Sequence, residues 1–337
     1  MATVPSFPAS VLAVRGPGLA LAAAIGTAGL WLAQQPLLQR GQLGALTVAI
    51  VIGMLVGNLG GARLPAALAP GLALAQRHLL RAGVVLYGLR LSFQDVAALG
   101  LSGLLVDAVV VAGTLALGLW AGRRWFGLDR DTALLTAAGS AICGAAAVLA
   151  VERVIRPEPG KVAMAVASVV LFGTLGIFLY PALYPHLGLD AAGFGLYAGA
   201  TVHEVAQVVA VGSAIGPETA DAAVVAKLSR VLMLVPVLLL LGWREARRSG
   251  GHEVAVPWFA LGFLAMVAVN SLVPVPAAVK SWLLALDTLL LATAMAALGV
   301  ETRLSRLRAL GTRPLLLAAL LFAWLSVGGY LLVRLLH

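Results

Sequence analysis

Gly199-Ala200-Thr201-Val202-His203-Glu204-Val205-Ala206-Gln207 places an imidazole, a carboxylate and an amide inside an apolar segment long enough to cross a membrane. Ionisable groups at bilayer depth cost about 2.5–3.5 kcal/mol or more unless they face a partner or a wet cavity. The stretch therefore predicts a membrane protein with a working site in its interior, and the rest of the chain is consistent with that. Of 337 residues, 61% are hydrophobic and 11% charged, and the mean hydropathy is +1.01; soluble domains are nearer half apolar and a quarter charged.

Hydropathy predicts eleven spans, at 18–35, 43–59, 79–94, 101–121, 133–151, 162–184, 194–214, 222–242, 257–274, 281–300 and 314–335. Residues 1–17 are expected to form a cytoplasmic N-terminal segment and 18–337 a single multi-span transmembrane domain. Arg15 precedes an apolar run with no clear cleavage motif, so that run is read as the first helix. The third span carries Arg81 and Arg90 and is expected to be short, tilted or partly re-entrant.

The formal charge of +9 does not point to nucleic acid, because the Arg residues are scattered through short loops. Counted over alternate loops, fourteen basic residues fall on one side, among them Arg123, Arg124, Arg130 and Arg244. Six fall on the other: Arg40, Arg153, Arg156, Lys161, Lys280 and Arg334. The positive-inside bias puts the N-terminus in the cytoplasm and the C-terminus outside. The loop holding Arg153, Arg156 and Lys161 is the misfit; either Glu152 and Glu158 offset it or a neighbouring segment does not fully cross.

Asp107, Lys227 and Arg230 lie within spans, and Lys227 and Arg230 share a helix face that should look into the protein. For Arg90 and Asp287, near span ends, snorkelling is an equal alternative. Ile52-Gly53-Met54-Leu55-Val56-Gly57-Asn58 resembles Leu264-Ala265-Met266-Val267-Ala268-Val269-Asn270, which hints at inverted repeats, although matches this short also arise by chance.

Ala137-Ala138-Gly139-Ser140-Ala141-Ile142-Cys143-Gly144-Ala145-Ala146-Ala147 is built from small residues. Such a run permits close helix packing, or a broken helix whose freed N–H groups attract an anion. Gly195, Gly199 and Thr201 repeat the logic ahead of His203. Cys143 and His203 are also ingredients of an intramembrane enzyme, but neighbouring His and Glu on a helix point about 100° apart. With one cysteine and no HExxH spacing, no catalytic residue, metal site or cofactor is expected.

Leu80-Arg81-Ala82-Gly83-Val84-Val85-Leu86-Tyr87-Gly88-Leu89-Arg90-Leu91, Ile142-Cys143-Gly144-Ala145, Val202-His203-Glu204-Val205-Ala206-Gln207-Val208-Val209, Lys227-Leu228-Ser229-Arg230 and Ala294-Met295-Ala296-Ala297-Leu298-Gly299 together resemble the YeiH-type bacterial inner-membrane proteins, a family also labelled sulfate exporters. The resemblance runs from about residue 40 to the C-terminus. It implies an all-α polytopic membrane protein of about 11 helices, with an inverted-repeat secondary-transporter core and crossing broken helices, as in bile-acid and arsenite carriers. Where relatives carry Thr-Ser-Ile-Cys-Gly-Ala-Ser, this chain has Ser140-Ala141-Ile142-Cys143-Gly144-Ala145-Ala146 and lacks two hydroxyls.

The expected function is secondary transport of a small anion, outward, coupled to protons or to the membrane potential. Sulfate or another inorganic or organosulfur anion is implied by the label alone. Ser140, Cys143, Gly144, Thr201, Gln207, Lys227, Arg230, Asn58 and Asn270 are the expected substrate contacts, and His203, Glu204 and Asp107 the ion-coupling groups. An anion channel and an enzyme using Cys143 and His203 are the alternatives. The partners are the anion and the lipid bilayer of a bacterial inner membrane, not nucleic acid, and homodimerisation stays open.

Overall fold

The computed structural model describes residues 9–35, 45–61, 64–249, 258–302 and 311–336, and every regular element among them is helical. Arg40, Arg63, Arg303, Arg306 and Arg308 lie outside them. Among the described residues, five helices are long and apolar enough to cross a membrane: Gly100–Arg124, Gly160–Leu187, Pro217–Arg244, Ala277–Glu301 and Thr312–Leu336. The chain forms two compact units, Met1–Tyr87 with Val275–Leu304, and Gly88–Pro274 with Ser305–His337.

The first unit holds α1 (Ala9–Leu32), α2 (Ala45–Gly60), α3 (Ala69–Leu74) and α4 (Leu80–Tyr87). All but α3 pack closely on the long α15 (Ala277–Glu301). Its packing depends on small residues: a side chain at Gly26 would strike the Thr293 backbone, and one at Gly53 or Gly57 would strike the α15 backbone at Ala296 or Val300. α1 begins at Ala9, ahead of the expected span. The third expected span is not one helix but a π-helical turn (Ala75–Leu79), α4 and a 3-10 turn ending at an exposed Arg90. Asp287 is fully buried in α15, so it does not snorkel.

The second unit contains the site. After α5 (Phe93–Ala98), α6 (Gly100–Arg124) runs to a loop ended by Asp129. The Asp129 carboxylate accepts the Asp131 and Thr132 N–H groups at 3.1 and 3.2 Å and so starts α7 (Arg130–Ala141). Residues 142–144 interrupt the helix and α8 (Ala145–Ile155) follows. Arg156, at φ 46°, ends α8 in the left-handed region, and Pro159 at the first position starts α9 (Pro159–Leu187).

The segment α7–α8 does not cross. Lys161 at the start of α9 meets Asp129 at the start of α7 at 3.0 Å, and Gly139 of α7 lies against Val148 of α8 and Val169 of α9. α7 and α9 therefore run in parallel from a common level, to which α8 returns before the short turn at 156–158. Laid end to end, α7 and α8 would separate their outer ends by about 35 Å at 1.5 Å per residue, too far for that turn and a lysine to bridge.

The same construction recurs from the opposite end. α9 closes at Gly188 (φ 61°), and Asp190 caps α10 (Ala191–Thr201) by accepting Gly193 N–H at 2.7 Å. Residues 202–204 interrupt, α11 (Val205–Ile215) follows, and Gly216 leads into α12 (Pro217–Leu232) and α13 (Leu234–Ser249). Gly195 lies against Thr219 and Ala222, and Gly199 against Ala223 and Ala226, so α10 is parallel to α12. Gly212 lies against Ala220, so α11 is antiparallel to α12 and hence to α10.

Two of the eleven expected spans are thus re-entrant hairpins with tips at 142–144 and 202–204. The misfit loop is explained: Arg153, Arg156 and Lys161 join the end that already carries Arg123, Arg124 and Arg130. α14 (Trp258–Leu272), α16 (Thr312–Ala323) and α17 (Gly329–Leu336) complete the unit. The π-helical turn between α16 and α17 frees the Ser326 carbonyl, which accepts the Tyr197 hydroxyl at 2.9 Å.

Candidate functional site: two hairpin tips held by opposite charges

The tips bring four half-helix ends together. Two are C-terminal ends, of α7 and α10, where carbonyls lack helical partners and the helix dipole is negative. Lys227 of α12 serves both: its Nζ donates to Ile142 O at 2.6 Å and to Val202 O at 2.7 Å. Arg230, one turn on, donates from Nε to Ala141 O at 3.0 Å and from Nη2 to Ala141 O at 2.6 Å and Ser140 O at 3.1 Å. Its Nη1 reaches Gly199 O at 3.3 Å. Both side chains are fully buried.

The other two are N-terminal ends, of α8 and α11, where N–H groups are free and the dipole is positive. Glu204 serves these. Its Oε1 accepts the Ala145 N–H at 3.2 Å, and it forms a capping box with Gln207, whose Oε1 accepts the Glu204 N–H at 3.0 Å. The Glu204 carboxylate faces the Gln207 N–H in this box, while Ala145 N–H is the donor it meets in full hydrogen-bonding geometry. Gly144 makes the arrangement possible: at φ 70° it adopts a conformation that side chains resist, and a side chain there would strike the Glu204 carboxylate.

The remaining expected residues fall around this core. Cys143 is buried on the first tip and makes no hydrogen bond with His203 among the described residues. His203 is buried on the second tip, its ring 6.1 Å from that of Phe322, with Nδ1 lacking a partner among the described residues. Thr201 spends its hydroxyl inside its own helix, on Tyr197 O at 2.6 Å. The Ser140 hydroxyl is buried with no partner among the described residues. Asp107 of α6 is fully buried, bonded through Oδ2 to the Ser229 hydroxyl, with Oδ1 lacking a partner among the described residues.

The two asparagines are not gathered at the tips. Asn58, in the first unit, donates to Met54 O at 2.8 Å and Thr302 O at 2.9 Å, and Asn270, in the second, donates to Leu91 O at 2.9 Å. The sequence reading missed Ser229, the partner of Asp107; a hydroxyl between Lys227 and Arg230 on an otherwise apolar helix was the available signal. It also missed Gly173, whose bare backbone makes room for the Gln207 amide. Among the described residues, no group of three His, Cys, Asp or Glu side chains is placed to hold a metal ion.

This chain has relatives throughout its length. A family model described as conserved hypothetical protein 698 matches residues 17–318. A UPF0324 membrane protein of Pseudomonas aeruginosa is 52% identical over 332 residues, covering 95% of this chain and 94% of its own. The UPF0324 inner membrane protein YeiH of Escherichia coli K12 is 47% identical over 320 residues, covering 93% and 92%. A UPF0324 membrane protein of Pseudomonas putida is 49% identical over 341 residues, covering 98% and 97%. No solved structure matches. By its family match and by identity along nearly its whole length, the chain belongs to the conserved hypothetical protein 698 family, the UPF0324 membrane proteins that include YeiH.

Proposed function

We propose that the protein is a secondary-active transporter of a small anion, in a bacterial inner membrane. One observation carries this reading: two re-entrant hairpins, entering from opposite ends, bring charged side chains and four half-helix ends to one place inside an apolar bundle. Irregular backbone at that depth is tolerated only where it is buried in protein or lines a cavity, and such points are where transporters bind their cargo. Lys227 and Arg230 hold the tips rather than the substrate, since most of their donors are spent on backbone carbonyls. The substrate contacts we favour are the N–H groups at the α8 and α11 N-termini with Gln207, and the coupling groups are Glu204, His203 and Asp107.

Two further points support this reading. Asn58 and Asn270 sit at matching positions of the two similar heptads and each donates to a backbone carbonyl just beyond a paired helical element, which favours an inverted repeat. The end of the second unit that carries Arg123, Arg124, Arg130, Arg153, Arg156 and Lys161 is cytoplasmic under the positive-inside rule, with the N-terminus on that side and the C-terminus outside.

Sulfur oxyanions are the first cargo to test, on the strength of the family's exporter label. Purified protein in liposomes should move labelled sulfate, sulfite or isethionate across the membrane faster than empty liposomes do. Flux indistinguishable from empty liposomes for all three would remove sulfur oxyanions as the substrate class.

A further inference from the structure

The N-terminal half-helix ends at the tips already hold an anion, and it belongs to the chain. The Glu204 carboxylate lies on the Ala145 N–H, faces the Gln207 N–H and rests against the bare backbone of Gly144, so both tips are shaped around it. A second donor at the same place is unused. Gln207 is fully buried and its Nε2 has no partner among the described residues, while its Oε1 is fixed to the Glu204 N–H, which holds the amide at the α11 N-terminus. Access differs in the same sense: Glu204, Ala145 and Ala146 are partly exposed, whereas Lys227 and Arg230 are sealed. A ligand reaching the tips meets N–H donors and a carboxylate already seated on them.

We propose that the Glu204 carboxylate and the transported oxyanion take the same N–H donors by turns, which makes the protein a proton–anion symporter. This deepens the transport reading and rests on it. The incoming oxyanion takes the Ala145 and Gln207 donors, and the Glu204 carboxylate is displaced. Left charged, it would be a carboxylate stripped of donors in an apolar interior, which is strongly unfavourable. It takes one proton from a hydronium ion of the solvent instead: one O–H bond forms on the carboxylate, one O–H bond of the hydronium breaks, and a water molecule is left. One anion and one proton are bound together and released together, and with a monovalent anion the charge on the donors stays the same throughout.

The groups facing Glu204 fit this exchange. Lys227 and Arg230 on α12 remain bound to carbonyls of both hairpins, and so favour whichever anion is seated. Cys143 lies on the first tip and His203 beside Glu204 on the second, with Asp107 held by Ser229 on the far side of α12. α10 contributes Tyr197 and, at its far end, Asp190. Of the ionisable residues of α9, Lys161 and His186 lie near its ends, and Tyr180 points its hydroxyl to Ser326. Under an inward proton gradient such a symporter accumulates its anion inside the cell, the reverse of the direction implied by the exporter label.

Proton uptake on binding tests this directly, using the full chain in weakly buffered detergent solution with sulfate, sulfite and isethionate as probes. The expected result is about one proton taken up per anion bound, an affinity that weakens up to tenfold per pH unit as pH rises, and no proton uptake in a Glu204→Gln variant that still binds. Binding to the wild type without proton uptake overturns symport but leaves the transport reading standing. Proton uptake that persists in Glu204→Gln overturns the assignment to this carboxylate, and no binding of any probe overturns the exchange with sulfur oxyanions and removes them as the cargo. Should Glu204→Gln not fold, the wild-type pH dependence decides alone, since a flat affinity sinks the exchange.

Discussion

The two sets of half-helix ends at the hairpin tips are chemical opposites, and they are treated differently. The C-terminal ends are closed by Lys227 and Arg230, which are fully buried and make six hydrogen bonds to carbonyls between them. The N-terminal ends are closed by one partly exposed carboxylate with a single well-formed hydrogen bond, beside an amide donor left over. Charge at bilayer depth does not by itself mark a substrate contact. Where donors are saturated and sealed the charge is a clamp, and where they are under-used and reachable it is a seat.

Entry of the two tips from opposite ends has an all-or-none signature in labelling. In a Cys143→Ala background, single cysteines at Arg130 and Glu158 should be labelled by an impermeant thiol reagent from the same side of the membrane. Cysteines at Asp190 and Glu218 should both be labelled from the other. Labelling of Arg130 and Glu158 from opposite sides would restore a crossing helix and remove the hairpin.

The clamp itself comes next. Lys227→Met strands the carbonyls of Ile142 and Val202 in the interior, at about 1–3 kcal/mol each. Thermal unfolding in detergent should show the loss, with Arg230→Gln similarly destabilised. Were the two residues substrate contacts, as the sequence alone leads one to expect, the variants would fold normally and only bind substrate less well. Normal melting temperatures with weakened anion binding would vindicate that expectation and turn the clamp back into a seat.

How much of this was legible in the sequence follows from what hydropathy measures. It reports that a stretch is apolar, not which way it runs. Residues 133–151 and 194–214 have the length of a span whether they cross or fold back, and the difference lies in three residues at each tip. The small-residue runs signalled breaks in the helices, but the sequence signal for folding back was the excess of Arg153, Arg156 and Lys161 on the wrong side. The interior placement of Lys227 and Arg230 was readable from their spacing on one helix face. Their partners were not, because backbone carbonyls are present at every position and only a broken helix frees them. Glu204 was identified as costly, but that it caps two helices distant in sequence depends on the fold. Asn58 and Asn270 share a position in the two similar heptads, and each serves the helices of its own unit, a placement that sequence similarity alone does not give.

The smallest effect concerns the foot of the first hairpin, where the same kind of charge pairing occurs in water. Burial alone would raise the Asp129 carboxyl, but hydrogen bonds from Thr132 and Lys161 outweigh it and bring the pKa from 3.8 to about 2. A group whose pKa is lowered on folding adds stability above its unfolded value, and loses it as pH falls through the folded one. The contribution of Asp129 is therefore complete above about pH 4 and gone near pH 2. Half of the carboxylate side chain is exposed (48%), so screening limits the gain, and Asp129→Asn should cost only about 0.2–1 kcal/mol at neutral pH. The gap in melting temperature between wild type and variant should close as pH is lowered from 6 towards 2. A gap that stays constant over that range would show that Asp129 acts as a neutral helix cap, through its bonds to the Asp131 and Thr132 N–H groups. The Lys161 contact would then be incidental, and the common level of α7 and α9 would rest on packing at Gly139 and Val169 alone.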